Sequence, residues 1–315
     1  MLLSEAIEAL LTATIADGRS ARTVEGYRSY LGYLLDFLGD RAVEEVSAHD
    51  LRAYAAYLRS RTERYTGHPQ RVREEGALSP YTVAAYLRPV RRLFRWLEQE
   101  GLIDDNPAGK LKLSQPGRRE PKAVSMEDFQ KLLAATEGDD PTHRRDRALL
   151  LFLADTGCRV GGVAGLQVAD VDLERGLARV TEKGDKTRLV PFSQFTRDAL
   201  LAWLEVRPSE GPWLFVNLGS RGQERLTADA IGEVLRRLKR RAGVKGPVNP
   251  HAFRHAFARE YLRAGGDLST LADILGHSSV EVTWRFYSVY RVDELKAFHE
   301  RYSPIARMQG EEDDS

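Results

Sequence analysis

Cysteine occurs once in the 315 residues, at Cys158. That excludes an internal disulfide and any cysteine-built zinc cage, and it suits a reducing compartment. No apolar run approaches the roughly 20 residues that a helical membrane span requires. The opening MLLSEAIEALL carries Glu5 and Glu8 where a secretory leader needs basic residues, so a soluble, cytoplasmic protein with no membrane partner is expected. A surplus of one charge sign is also missing: 47 basic residues face 46 acidic ones, for a net +1. A polyanionic partner is not thereby excluded, because binding depends on where charges sit rather than on their sum. Four acids fall in one terminal run, Glu311, Glu312, Asp313 and Asp314, and with these set aside the +1 becomes +5. There is no G-x-x-x-x-G-K-[ST] loop to cradle a nucleoside triphosphate, and no fixed-period repeat.

What is present is enough apolar material, 42% of the chain, for two cores. The first part reads as helices over 2–16, 21–38, 48–61 and 80–100, with no strand signal. In the last of these, Val83, Leu87, Val90, Phe94 and Leu97 recur at helical spacing as one buried stripe. Beside it lie Arg88, Arg91, Arg92 and Arg95, either a solvated face or a phosphate-binding one. Pro89 inside the pattern predicts a kink or a later start. Residues 104–121 have linker composition, with Lys110, Lys112, Arg118 and Arg119 among prolines and glycine, and suit a plain tether or a basic strap along a phosphate backbone.

Beyond it, Ser125 is an N-cap for a helix over 126–136, and an apolar helix over 143–156 follows. Residues 168–192 change character, with short β-branched runs around Glu174-Arg175-Gly176 and Lys183-Gly184-Asp185 that predict a small antiparallel sheet. Helices return over 194–205, 227–242, 251–264, 268–275 and 292–302. The fold class is therefore mainly α, divided as residues 1–105, a basic linker 106–121, a second domain 122–305 with the small sheet, and an acidic tail 306–315.

Four segments stand out: TGCRVGGVAGL at 156–166, TEKGDKTRLVP at 181–191, NPHAFRHAFA at 249–258 and LGHSSVEVTWRFY at 275–287. Each alone has a plain explanation: Arg159 as a helix C-cap, Lys183 as a hairpin-turn residue, His251 as a helix N-terminal residue bonded to backbone. His251 and His255, four apart, invite a zinc reading, but Ala252 stands where a metalloprotease helix has glutamate, and no nearby carboxylate completes a metal set.

Together and in this order, the segments resemble the tyrosine recombinase family of phage and transposon integrases, over nearly the whole chain. The resemblance implies a helical, SAM-like core-binding domain followed by a mainly helical catalytic domain, the two clasping duplex DNA. It makes Arg159 the first arginine, Lys183 the hairpin lysine, His251 and Arg254 the H-x-x-R pair, His277 the L-G-H histidine and Tyr287 the nucleophile. It also implies a tetramer on paired sites, with 292–302 as a candidate segment exchanged between subunits or a helix packed on its own domain.

The chemistry suits those residue types. Two guanidinium forks match the non-bridging oxygens of a phosphodiester. A tyrosine hydroxyl needs a proton acceptor, for which His251 is the candidate, and the departing 5′ oxygen needs a proton, which the resemblance assigns to Lys183. His277 would hydrogen-bond the phosphate. With cations in these roles, no metal or nucleotide cofactor is expected.

Two departures from the family pattern stand out. The place three after the first arginine, usually acidic, holds Gly162, leaving Asp170 or Asp172 as candidate substitutes. Many relatives place the tyrosine nine after the L-G-H histidine, which is Phe286 here, whereas Tyr287 is ten after; some integrases share that spacing. Two rival functions use the same scaffold: a DNA-binding protein that has lost catalysis, and a single-strand relaxing topoisomerase.

Overall fold

The computed structural model describes residues 1–64, 74–113, 121–182, 186–208, 210–219, 224–276 and Glu281. The chain divides into two compact units, Met1–Arg118 and Arg119–Ser315. Among the described residues no helix is long and apolar enough to cross a membrane.

The first unit packs α1 (Leu3–Ala16), α2 (Ala21–Leu38), α3 (Ala48–Ser60) and α4 (Pro80–Gln99). Local chemistry sets the ends of these helices. Ser47 caps α3 in a reciprocal box with Asp50, and the Ser79 hydroxyl accepts from the Thr82 amide at 3.1 Å to open α4. Pro80 takes the first helical position, where its missing N–H costs nothing. The stripe read from sequence is buried: Val83, Leu87, Val90, Phe94 and Leu97 meet Leu3, Leu10, Leu31, Leu34 and Leu51 in one core. Because α4 begins at Pro80 and continues past Pro89, that proline marks no later start. Two features differ from the sequence reading. A two-residue antiparallel ladder pairs β1 (Glu63–Arg64) with β2 (Glu74–Glu75), invisible because glutamate has little strand preference. Ala108 and Leu111, within the stretch of linker composition, are buried in this core.

The second unit runs α5 (Met126–Ala134), α6 (Pro141–Thr156), α7 (Val160–Ala164), β3 (Val171–Asp172), β4 (Leu177–Glu182), β5 (Lys186–Pro191), α8 (Gln194–Val206), α9 (Ala228–Arg241), α10 (Pro250–Arg263) and α11 (Leu268–Leu275). The sheet order is β3-β4-β5, all antiparallel, and β4 pairs with β5 from Leu177↔Pro191 to Glu182↔Lys186. Alternation along β4 buries Ala178 and Val180 and exposes Arg179 and Thr181, so Glu182 falls on the inward face. On β5 the same parity aligns Arg188 with buried Val190. The core gathers Leu149, Phe152, Trp203, Phe215 and Phe253, and the Trp203 indole donates to the Leu214 carbonyl at 2.8 Å. The helix candidate over 292–302 and the acidic tail lie outside the described residues.

Candidate active site

Helix α6 ends at Gly157, whose left-handed φ of 58° and whose nearness to Phe257 (a Cβ there would stand 2.8 Å from its Cδ1) both require glycine. Gly157 thus fills the C-cap role that sequence reasoning offered for Arg159. Arg159 instead occupies the N-cap position of α7, an element not foreseen from the sequence. From there its side chain, 39% exposed, pairs through Nη1 with Oε2 of Glu182, and its backbone N–H donates to Glu182 Oε1 at 3.3 Å. Nη1 also reaches the Gly276 carbonyl oxygen at 3.5 Å.

Arg254 rises from the first turns of α10, which Asn249 caps by accepting from the Ala252 amide at 3.0 Å. It is buried, and its fork is fixed by two carbonyls, Nη1 to Gly157 at 2.8 Å and Nη2 to Leu275 at 2.7 Å. Arg188, which the sequence reading did not single out, completes the arrangement: Nε donates to the Ile274 carbonyl at 2.9 Å and Nη1 lies 3.0 Å from Glu182 Oε2. Three guanidiniums therefore meet the carbonyls of Ile274, Leu275 and Gly276, the negative end of α11, where helix carbonyls lack intrahelical partners. Gly276 sits there with φ 64°, and a Cβ on it would come within 2.7 Å of Arg188 Nη1. The left-handed conformation favours glycine at this position of L-G-H, and a side chain there would also have to displace the Arg188 guanidinium.

Burial raises the Glu182 carboxyl, but the adjacent Arg188 and Arg159 guanidiniums outweigh it and hold Glu182 below the usual glutamate range. Asp170 and Asp172, the acids considered as substitutes for the one missing at Gly162, are engaged elsewhere. Asp170 takes Arg179 Nη2 at 3.1 Å and the Gln167 amide at 3.1 Å, while Asp172 accepts from the Arg175 amide at 2.9 Å. The carboxylate on Arg159 is Glu182, and the signal that could have revealed it was its inward parity with Ala178 and Val180.

His251 is exposed in the first turn of α10, three residues before Arg254 and so on neighbouring helical positions. One turn on, His255 is half-buried, and burial, with His251 and Arg254 nearby, lowers its pKa. Among the described residues no group of three His, Cys, Asp or Glu side chains could hold a metal ion. Burial pushes the Cys158 thiol up, against a role as a nucleophile. Lys183, His277 and Tyr287 lie outside the described residues. In the first unit Arg88, Arg91, Arg95, Lys110 and Lys112 are exposed, and Arg92, partly covered, stands 3.8 Å from Asp17. Arg118 and Arg119 lie outside the described residues.

Fold and site together define a mainly helical protein that brings three arginines from distant segments to the end of one helix. Comparison with known proteins makes that class specific. The profile of the phage integrase family matches residues 122–292. The tyrosine recombinase XerA of Thermococcus kodakarensis is 32% identical over 98% of this chain and 99% of its own length. The tyrosine recombinase XerC of Alcanivorax borkumensis is 30% identical, covering 98% and 97%. In fold, the chain matches the Tn1549 transposon integrase solved with a circular intermediate DNA, with TM-score 0.74, 19% identity and 96% and 100% coverage. The chain belongs to the phage integrase family and is a tyrosine-type site-specific DNA recombinase.

Proposed function

We propose that Arg159 and Arg254 clamp the scissile phosphate of duplex DNA and that Tyr287 attacks it. The observation that carries this reading is the attachment of both arginines to the end of α11, at Leu275 and Gly276, one residue before His277. A phosphodiester under attack gathers charge on its non-bridging oxygens, and guanidiniums whose planes are already fixed stabilise it without reorganising. The Tyr287 oxygen bonds to phosphorus while the bond to the 5′ oxygen breaks. His251 takes the phenolic proton and Lys183 gives one to the departing 5′ oxygen, with His277 hydrogen-bonding the phosphate. The product is a 3′-phosphotyrosine and a free 5′ hydroxyl. The 5′ hydroxyl of a second strand reverses the step and rejoins DNA.

In this reading residues 1–105 are the core-binding domain, 106–121 a basic linker, and 122–305 the catalytic domain. Arg88, Arg91, Arg92, Arg95, Lys110, Lys112, Arg118 and Arg119 meet backbone phosphates. The working assembly is a tetramer of this chain on paired sites, a reading supported by the lambda integrase, solved as a tetramer bound to a Holliday junction and matched here at TM-score 0.69. A cytoplasmic, nucleoid-bound location fits the single cysteine.

A nicked suicide substrate, which loses a short strand on cleavage and prevents rejoining, tests the proposal. The expected result is a covalent protein–DNA adduct from the native chain and its loss by roughly 10²-fold or more in Arg159→Ala or Arg254→Ala. Binding without adduct would identify a DNA-binding protein instead, and relaxation of supercoiled DNA without two-site exchange would identify a topoisomerase.

A further inference from the structure

We propose that Glu182 is a positioning residue for the recombination site: strand β4 supplies to Arg159 the carboxylate that the family pattern places three residues after that arginine. The inference rests on the reading of Arg159 as a phosphate clamp and goes beyond it, because the order of Arg, Lys, H-x-x-R, L-G-H and Tyr does not mark position 182.

Three observations carry it. Glu182 holds Arg159 at both ends, accepting the backbone N–H on Oε1 and the guanidinium on Oε2, so the arginine loses rotational freedom before any phosphate arrives. Its side chain is 6% exposed while that of Arg159 is 39% exposed, so the carboxylate supports the arginine from the protein side and leaves the outward side accessible to DNA. Position 162 also has little room for a side chain against strand β4. A Cβ at Gly162 would stand 2.5 Å from Val180 Cγ1 and 3.3 Å from Glu182 Cγ. Glycine at 162 therefore lets β4 approach α7 closely, and the carboxylate that meets Arg159 comes from that strand. Arg188, on the same Oε2 at 3.0 Å, leaves one anion among two cations, so the site keeps a net positive charge for phosphate. Desolvated charges of this kind persist only when paired, which ties the position of Arg159 to an ionised Glu182.

The test measures single-turnover cleavage of the nicked substrate by the full-length chain carrying Glu182→Gln, Arg159→Ala or both. The first change should slow cleavage roughly 10- to 100-fold with DNA affinity altered less than about threefold. In the Arg159→Ala background it should add nothing further, since the group it positions is gone. A methylphosphonate at the scissile position, which removes the charge that Arg159 meets, should shrink the Glu182→Gln penalty to under about threefold. Glu182→Asp, which keeps the charge on a shorter arm, should recover part of the rate, and it carries the same comparisons if the amide variant does not fold. A native rate in Glu182→Gln, additivity with Arg159→Ala, or equal penalties on phosphate and methylphosphonate would overturn the proposal. If Arg159→Ala itself cleaves at the native rate, the clamp assignment fails and this inference with it; if only Glu182 behaves otherwise, the clamp stands.

Discussion

Arg254 donates from Nη2 to the carbonyl oxygen of Leu275 at 2.7 Å, joining α10 to the last residue of α11 across 21 positions of chain. With its other arm on Gly157, the guanidinium spans the carbonyls of two buried residues. A lysine ammonium is a point charge and cannot bridge both. Arg254→Lys should therefore destabilise the second unit by about 1–3 kcal/mol, the cost of a buried acceptor left unpaired, and should suppress cleavage although the formal charge is unchanged. Urea unfolding and the suicide-substrate adduct, measured on the same preparation, check both halves. Native stability in Arg254→Lys would show that an ammonium recovers the anchors.

Tyr287, rather than Tyr290 or Tyr302, is expected to become joined to DNA. Phe286 has no hydroxyl to offer. If the segment is helical, three residues amount to roughly 5 Å along its axis, and Tyr290 would then need a rearrangement to take the same place. Tyr287→Phe should leave DNA affinity nearly unchanged, because one hydroxyl contributes little to a phosphate-dominated interface, while removing the protein-linked strand. Peptide mapping of the trapped adduct by mass spectrometry decides it; an adduct at Tyr290 would overturn the assignment.

The exposed face of α4 gives a binding prediction. Replacing Arg88, Arg91 or Arg95 by alanine should weaken binding to all DNA sequences alike and reduce the slope of log affinity against log salt by about one for each phosphate no longer neutralised. Arg92, near Asp17, should change it least. Four unchanged slopes would make this a solvated face.

His255 predicts a pH effect on stability. Its folded pKa is lowered, first by burial and then by His251 and Arg254. Below the unfolded value of about 6.5 the unfolded chain takes up a proton that the folded chain resists, so stability is complete above that pH and falls as pH drops through it. His255→Gln should lose part of this fall. Denaturation midpoints near neutrality and about two units lower, compared between the two proteins, measure it; parallel slopes would refute the effect.

On the proposed assignment cleavage should survive chelators, since Arg159, Arg254 and Lys183 would supply the positive charge that divalent ions supply in many nucleases. Loss of the adduct in EDTA, restored by magnesium, would contradict the assignment.

Much of this was local and therefore legible in sequence. Helix boundaries follow in part from caps such as Ser125, which opens α5, and from apolar periodicity, and α2 and α11 coincide with the spans expected. The order of Arg, Lys, H-x-x-R, L-G-H and Tyr was enough to indicate the family. The short helix α7 escaped because two glycines in five residues give no helical signal.

What the tertiary structure alone decided is which charges meet. Asp170 and Asp172 are the acids that the sequence offers to Arg159, yet Asp170 pairs with Arg179, and Glu182, 23 residues beyond Arg159, takes the arginine. The end of α11 is held by Arg159 from 117 positions away and by Arg188 from 86. Periodicity tells which face of a strand or helix turns inward, because that depends on neighbours in the chain. Which atoms it then meets depends on how separate elements pack, and no local pattern encodes that.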